Sequence, residues 1–461
     1  MPESPDILWA PSDDFVQQSG LKKYEKWLQD QFGLTFNDYE EFWQWSNNHF
    51  EDFWESLWKY FDVTSHSEYD SVIDAYQMPG ARWFNGATLN YAEHIFRKKS
   101  EDRPALLFAN ESGEKKEISW KELEGQVTSI QAFLKSKGIG KGDRVAGYLP
   151  NTPETIACFL AVNSLGAVWS CCSPDFGINT VIDRFSLIEP RLFFTCDGYK
   201  YGGKRIDRLN EAKQIADSIS SIETVVLIST LNADAVLENS TQWLEMIATK
   251  SAGLSFEAVD FNHPIWVLYS SGTTGKPKAI THSHGGVLLE HLKYMHFHND
   301  VKPGEHFFWF STTGWMMWNF LQASMLVGAV PVLFDGSPGT PDLNSLWKLT
   351  EELPIHHFGT SAPYLIACMK KELTPESDFD LSTLRSIGST GAPLPPEAFD
   401  WVYDYVKKDL CLCSMSGGTD VCTAFVGGIP SKSVRRGKIQ GRALGCDLRS
   451  VDEDGKEVVS S

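Results

Sequence analysis

Tyr269-Ser-Ser-Gly-Thr-Thr-Gly-Lys-Pro-Lys-Ala-Ile280 is the stretch on which the reading of this chain turns. The apolar run Ile265-Trp-Val-Leu-Tyr269 before it predicts a buried strand. Ser270, Ser271, Thr273 and Thr274 then offer hydroxyl donors, and Lys276 and Lys278 offer positive charge. Gly272 and Gly275 let the backbone approach a ligand closely, so that successive N–H groups can form an anion-binding concavity. This is chemistry suited to a polyphosphate. It is not the Gly-x-x-x-x-Gly-Lys-[Ser/Thr] loop, because the two glycines stand too close together and Pro277 follows Lys276. That proline also opposes direct entry into a helix. Composition alone leaves a Ser/Gly-rich surface turn open as well.

Working outward, 461 residues exceed one ordinary core and predict two or three packed units. Apolar residues at 42% and charged residues at 22% are those of a folded, globular chain. No apolar run is long enough to span a bilayer, and Met1-Pro-Glu-Ser-Pro-Asp6 has neither the basic nor the apolar part of a signal peptide. The nine cysteines lack metal or disulfide-framework spacing and sit in apolar segments. Buried reduced thiols and a cytoplasmic setting are expected. The net charge of −19 argues against a nucleic-acid partner. It also means that an anionic nucleotide must meet positive groups concentrated at its site.

Residues 1–80 carry aromatic positions near helical spacing (Phe42, Trp45, Phe50, Phe53, Trp54, Trp58), which predicts an amphipathic helix or two packed on the body. Residues 81–260 then alternate strand and helix, and 261–461 do so again. The pattern predicts an α/β protein with two helix-covered, mostly parallel sheets, one for each run, and ligands at strand C-terminal ends. After the central loop, Thr281–Asp300 reads as helix.

Four strand-end segments carry further chemistry. In Ser389-Thr-Gly-Ala-Pro-Leu394, Gly391 would let a planar base lie against the backbone, with Ala392 and Pro393 following; an ordinary strand-to-helix turn reads equally well. Ser414-Met-Ser-Gly-Gly-Thr-Asp420 sets a carboxylate beside hydroxyls and glycines, which suits Mg²⁺ with phosphate oxygens; a capped tight turn is its plain reading. Trp315, Met316, Met317 and Trp318 make a large, soft apolar surface, either core or the wall of an acyl pocket. Tyr201, Gly202, Gly203 and Lys204 lie in a basic, glycine-bearing segment that could greet the phosphates of CoA, or be a plain exposed loop.

Taken together and in this order, the central loop and the two glycine-bearing segments resemble the acyl-adenylate-forming enzymes. The resemblance implies the large N-terminal domain of that fold and an ATP-dependent acid–thiol ligase. It assigns ATP to Ser270–Lys276, Lys278, Gly391–Pro393 and Ser414–Thr419. It makes Lys278, Thr274 and Asp420 the catalytic groups of this chain, with Thr274 and Asp420 toward Mg²⁺. Met78-Pro-Gly-Ala-Arg-Trp-Phe84, Cys172-Ser-Pro-Asp-Phe-Gly177, Asp335-Gly-Ser-Pro338 and Ile439-Gln440 are similar to the branch that activates acetoacetate. There the second glycine segment ends in Asp rather than Glu, as here at Asp420. Gly417 stands where acetyl-specific relatives carry a tryptophan, which implies a longer acyl pocket. Lys438 departs from the usual glutamate of related sequences. The resemblance further implies a mobile C-terminal domain with a catalytic lysine beyond Ser461, so that residues 1–461 alone are expected to turn over negligibly. A silent nucleotide-binding or interaction protein, and a phosphotransferase, are the competing readings.

Overall fold

The computed structural model describes residues 6–251, 253–270 and 277–458. Two seven-stranded sheets form the body. The first runs Ser240–Gln242, Thr224–Ile228, Leu192–Cys196, Arg144–Tyr148, Val168–Cys172, Pro264–Ser270 and Lys278–Ser283 in spatial order. Its strands are parallel except the last, which returns antiparallel to its neighbour. The second runs Cys411–Ser414, Ser386–Thr390, His357–Ser361, His306–Trp309, Val330–Asp335, Leu106–Asn110 and Lys115–Ile118, again antiparallel only at the last. The α/β expectation with two mostly parallel sheets therefore holds.

The sheets do not follow one another along the chain, however. The hairpin Leu106–Ile118 joins the second sheet, and the hairpin Pro264–Ser283 closes the first. Antiparallel edge hairpins need only a short turn, so each can be added to whichever sheet lies nearest. Strand–helix alternation does not reveal that choice. The helix expected over Thr281–Asp300 starts instead at His284, because Lys278–Ser283 pairs back onto Pro264–Ser270, with Ser270 opposite Lys278. Ser283 then caps the helix, its hydroxyl accepting the Gly286 N–H at 3.2 Å.

Between the sheets runs the helix Pro153–Ser164, in which every residue but Glu154 is buried. A helix that is apolar all round belongs in such a place. Its Phe159 reaches Trp169 and Trp266 of the first sheet and Trp318 on the other side. The aromatic N-terminal segment forms four helices, Asp13–Gln18, Gly20–Phe32, Tyr39–Asn48 and Phe50–Tyr60, rather than one or two. Ser12, Ser19 and Asp38 cap three of them by accepting backbone N–H groups. Their apolar faces join the main core as expected, with Tyr24 stacked on Phe297 at 4.6 Å and Trp58 on Phe84 at 4.7 Å. All nine cysteines are free, eight of them buried. Among the described residues, no helix is long and apolar enough to cross a membrane.

Candidate active site

The C-terminal ends of neighbouring strands in the second sheet open into a cavity of about 540 Å³. Its wall is built from the three segments singled out in the sequence: Trp315–Met317, Thr390–Pro393 and Ser414–Thr419, closed by Thr423 and Ile439. Parallel pairing of Ser386–Thr390 with Cys411–Ser414 sets the two glycine-bearing turns side by side. The Met415 N–H donates to the Ser389 carbonyl at 2.9 Å, and the Thr390 hydroxyl donates to the Met415 carbonyl at 3.0 Å. Gly391 has φ +85°, a conformation that glycine adopts without strain. A β-carbon there would lie 3.7 Å from the Trp315 ring, so the indole covers bare backbone. A cavity walled by an indole, methionines and bare glycine backbone suits a purine or a short acyl chain.

Gly417 lines this cavity through its backbone alone. It is paired in the Ser416–Gly418/Thr423–Gly427 hairpin, where a β-carbon would run into the Thr423 carbonyl. On this backbone a side chain at 417 finds no room unless the Thr423–Gly427 strand moves. Trp318, by contrast, is not on the wall. It lies in the core behind it, its indole N–H donating to Asn151 Oδ1 at 2.9 Å. Asn151 also donates to the Phe334 carbonyl at 3.3 Å, and Thr313 donates to the Leu149 carbonyl at 2.7 Å. These bonds tie the end of a first-sheet strand to the second-sheet strand Val330–Asp335 and to the segment that carries Trp315, Met316 and Met317.

Ser271–Lys276, and with them the assignments of Gly272, Thr273, Thr274 and Gly275, lie outside the described residues. Ser270 and Lys278 face each other as the last described pair of the hairpin, with Lys278 exposed. Neither lines the 540 Å³ cavity. The hairpin is nevertheless joined to it. His282 Nε2–H donates to the Asp420 carbonyl at 2.9 Å, while His282 Nδ1 accepts the Trp266 indole N–H at 3.0 Å. Those partners fix a neutral imidazole, and burial holds its pKa below the usual value. Asp420 thus sits in a turn between the Pro264–Ser283 hairpin and Ser414–Thr419, its carboxylate exposed. Among the described residues no cluster of three or more metal-ligating side chains occurs.

The basic segment is a hairpin, Gly198–Tyr201 with Lys204–Asp207, and its exposed tip is already engaged. Glu111 accepts the N–H groups of Gly202 and Gly203, each at 2.9 Å, and that of Ser337 at 2.8 Å. Lys200 donates to Ser112 Oγ at 3.0 Å. Glu111 gave no signal in the sequence, because a lone glutamate in a turn has no motif. Beside it, burial first and the Glu111 charge second push the Asp335 carboxyl up to about 7. A second large cavity, about 520 Å³, lies where Trp54, Trp83 and Phe84 meet the His284–Lys293 helix, with Asp420 at its rim.

A family model described as AMP-binding enzyme matches residues 93–461, and one described as acetyl-coenzyme A synthetase N-terminus matches 39–95. The acetoacetyl-coenzyme A synthetase of Rhizobium meliloti is 43% identical over 98% of this chain and 70% of its own length. That of Danio rerio is 37% identical over 98% of this chain and 69% of its own. The solved acetoacetyl-CoA synthetase of Streptomyces lividans superposes with a TM-score of 0.95 at 42% identity, covering 99% of this chain and 71% of that one. The chain belongs to the acetoacetyl-CoA synthetase family of AMP-binding enzymes. As a member it is an ATP-dependent acid–thiol ligase, with ATP and CoA as substrates. Membership explains why two glycine-bearing turns and an aromatic–methionine segment, far apart in sequence, share one cavity.

Proposed function

We propose that this chain activates acetoacetate with ATP and passes the acyl group to CoA, releasing AMP and pyrophosphate. One observation carries the reading: Trp315–Met317, Gly391–Pro393 and Ser414–Thr419 converge on a single cavity at strand C-terminal ends. The acid's carboxylate oxygen attacks the α-phosphorus, pyrophosphate leaves, and the thiol sulfur then displaces AMP from the acyl carbon. Both steps depend chiefly on positioning and on stabilising developing charge. In this assignment the Gly391–Pro393 turn and Ser414–Thr419 hold the nucleotide. Met316, Met317 and Trp315 hold the acyl chain. Ser270 and Lys278, at the mouth of the phosphate loop, face the triphosphate. Asp420 fits Mg²⁺, which needs one or two carboxylates and takes its other ligands from phosphate oxygens and water; when bound, the ion neutralises phosphate charge. The Gly202–Lys204 tip is assigned to CoA with Glu111 holding its shape. Free thiols throughout fit a cytoplasmic location. The test is pyrophosphate release from ATP in the presence of acetoacetate. Acid-dependent pyrophosphate with AMP supports the reading; ADP formation, or a product independent of the acid, refutes it.

A further inference from the structure

Behind the Met415 wall of the 540 Å³ cavity lies a hydroxyl that the assignments above do not use. Tyr294 is buried at the start of the π-helical turn Tyr294–His298, which ends the His284–Lys293 helix. Single π-turns recur at functional sites. Its ring stands edge-on to Phe320 at 5.7 Å, on the helix that begins with the cavity-lining Met317. A β-carbon built on Gly427 would collide with Tyr294 Oη and lie 3.3 Å from Met415 Cβ. Phenol oxygen and cavity wall are therefore neighbours across Gly427. The hydroxyl has no hydrogen-bond partner among the described residues, and neither polar atom of the amide of Asn319, the residue before Phe320, has one. Buried polar groups are almost always paired, so an orphan donor beside a ligand cavity points to a ligand acceptor.

We propose that Tyr294 determines acid specificity, its Oη–H donating a hydrogen bond to the distal carbonyl of a 3-oxo acyl group seated against Met415. This rests on the acetoacetate reading. Met316, Met317 and Met415 alone offer only soft apolar contact and would take butyrate as readily as acetoacetate. An apolar pocket separates such isosteres poorly, whereas a buried donor left unpaired by the wrong acid separates them well. Seating the oxo group there requires the Met415 side chain to move aside, and methionine is the side chain best able to do so.

The experiment titrates acetoacetyl- and butyryl-sulfamoyladenosine, stable mimics of the two adenylates, into the wild-type chain and Tyr294→Phe. The wild type is expected to bind the 3-oxo compound at least about tenfold more tightly. Tyr294→Phe should weaken that compound by about tenfold and leave the butyryl compound within about twofold. The melting temperature of the free variant should equal or exceed that of the wild type, because the lost hydroxyl leaves no partner unsatisfied. Equal weakening of both compounds, or an undiminished 3-oxo preference in the variant, overturns the proposal. So does a marked fall in melting temperature, which would reveal a structural partner. A wild type that binds both compounds equally removes the acetoacetate assignment itself, and this inference with it.

Discussion

Two cavities of similar size lie close together in this molecule, about 540 and 520 Å³, and they are built on opposite principles. The first is walled by strand-end turns, with Gly391, Gly417 and Gly418 among its lining residues. The second is a seam between the aromatic N-terminal cap and the Pro264–Ser283 hairpin with its following helix, and side chains make it. Two of its charged groups are spent on one another, Lys293 pairing with Glu290 at 2.7 Å and donating to the Leu444 carbonyl at 2.8 Å, while the Asp420 carboxylate stands exposed at its rim. Glu290 also accepts the Thr423 hydroxyl at 2.6 Å. Volume alone does not distinguish a site from a seam. What distinguishes them is whether polar groups face the space or one another.

The most damaging way to break this contrast is to put a side chain on the turn side. Gly417→Trp should abolish binding of acid and nucleotide together, because the new β-carbon displaces the Thr423–Gly427 strand. Loss of ligand-induced thermal stabilisation checks this; retained ATP binding would show that the indole had found the cavity after all.

Acid should act on the packed side. Burial lowers the pKa of His291 and His298 to about 3 and of His94 and His296 to about 4. The unfolded chain takes up their protons near 6.5, whereas the folded chain resists. Their stabilisation is therefore complete above about pH 6.5 and falls as pH drops toward 4 and then 3. Each contributes up to about 1.4 kcal/mol of loss per pH unit in that window. Denaturant titrations at pH 7.5 and 5.5 should show a clear drop; a flat profile would contradict neutral burial of these rings.

Lys293→Met should remove about 3 kcal/mol of stability by leaving Glu290 short of its charge partner in a buried place. Affinity for MgATP should hardly change. A large loss of affinity with unchanged stability would make the seam a site. The smallest expected effect is at the hairpin: Lys278→Ala should weaken MgATP by roughly 1.5–3 kcal/mol, more than Lys276→Ala does. Calorimetry giving equal losses for the two lysines would remove Lys278 from the triphosphate.

Much of this was legible in the sequence, and the reasons are local. Parallel strands buried on both faces read as apolar runs, and strand, turn and helix signals placed Ser386–Thr390, Cys411–Ser414 and their turns closely. Glycine-bearing turns with unusual spacing stood out as chemistry. What stayed hidden depends on long-range contact. Sheet membership of Leu106–Ile118 and Lys278–Ser283 is decided by neighbours far away in sequence. Trp318 could not be told from Met316 and Met317, since all are large and apolar and only the helix rotation separates wall from core. Glu111 and Tyr294 carry no pattern of their own.

On the proposed function, the turn-walled cavity and not the aromatic seam takes the adenylate. Hydrogen exchange of the chain with and without acetoacetyl-sulfamoyladenosine tests it most directly. Slowed exchange at Thr390–Ala392 and Ser414–Thr419, with Trp54, Phe84 and Lys293 unchanged, is the predicted result. Protection confined to the seam, leaving Gly391 and Gly417 as free to exchange as before, would contradict it.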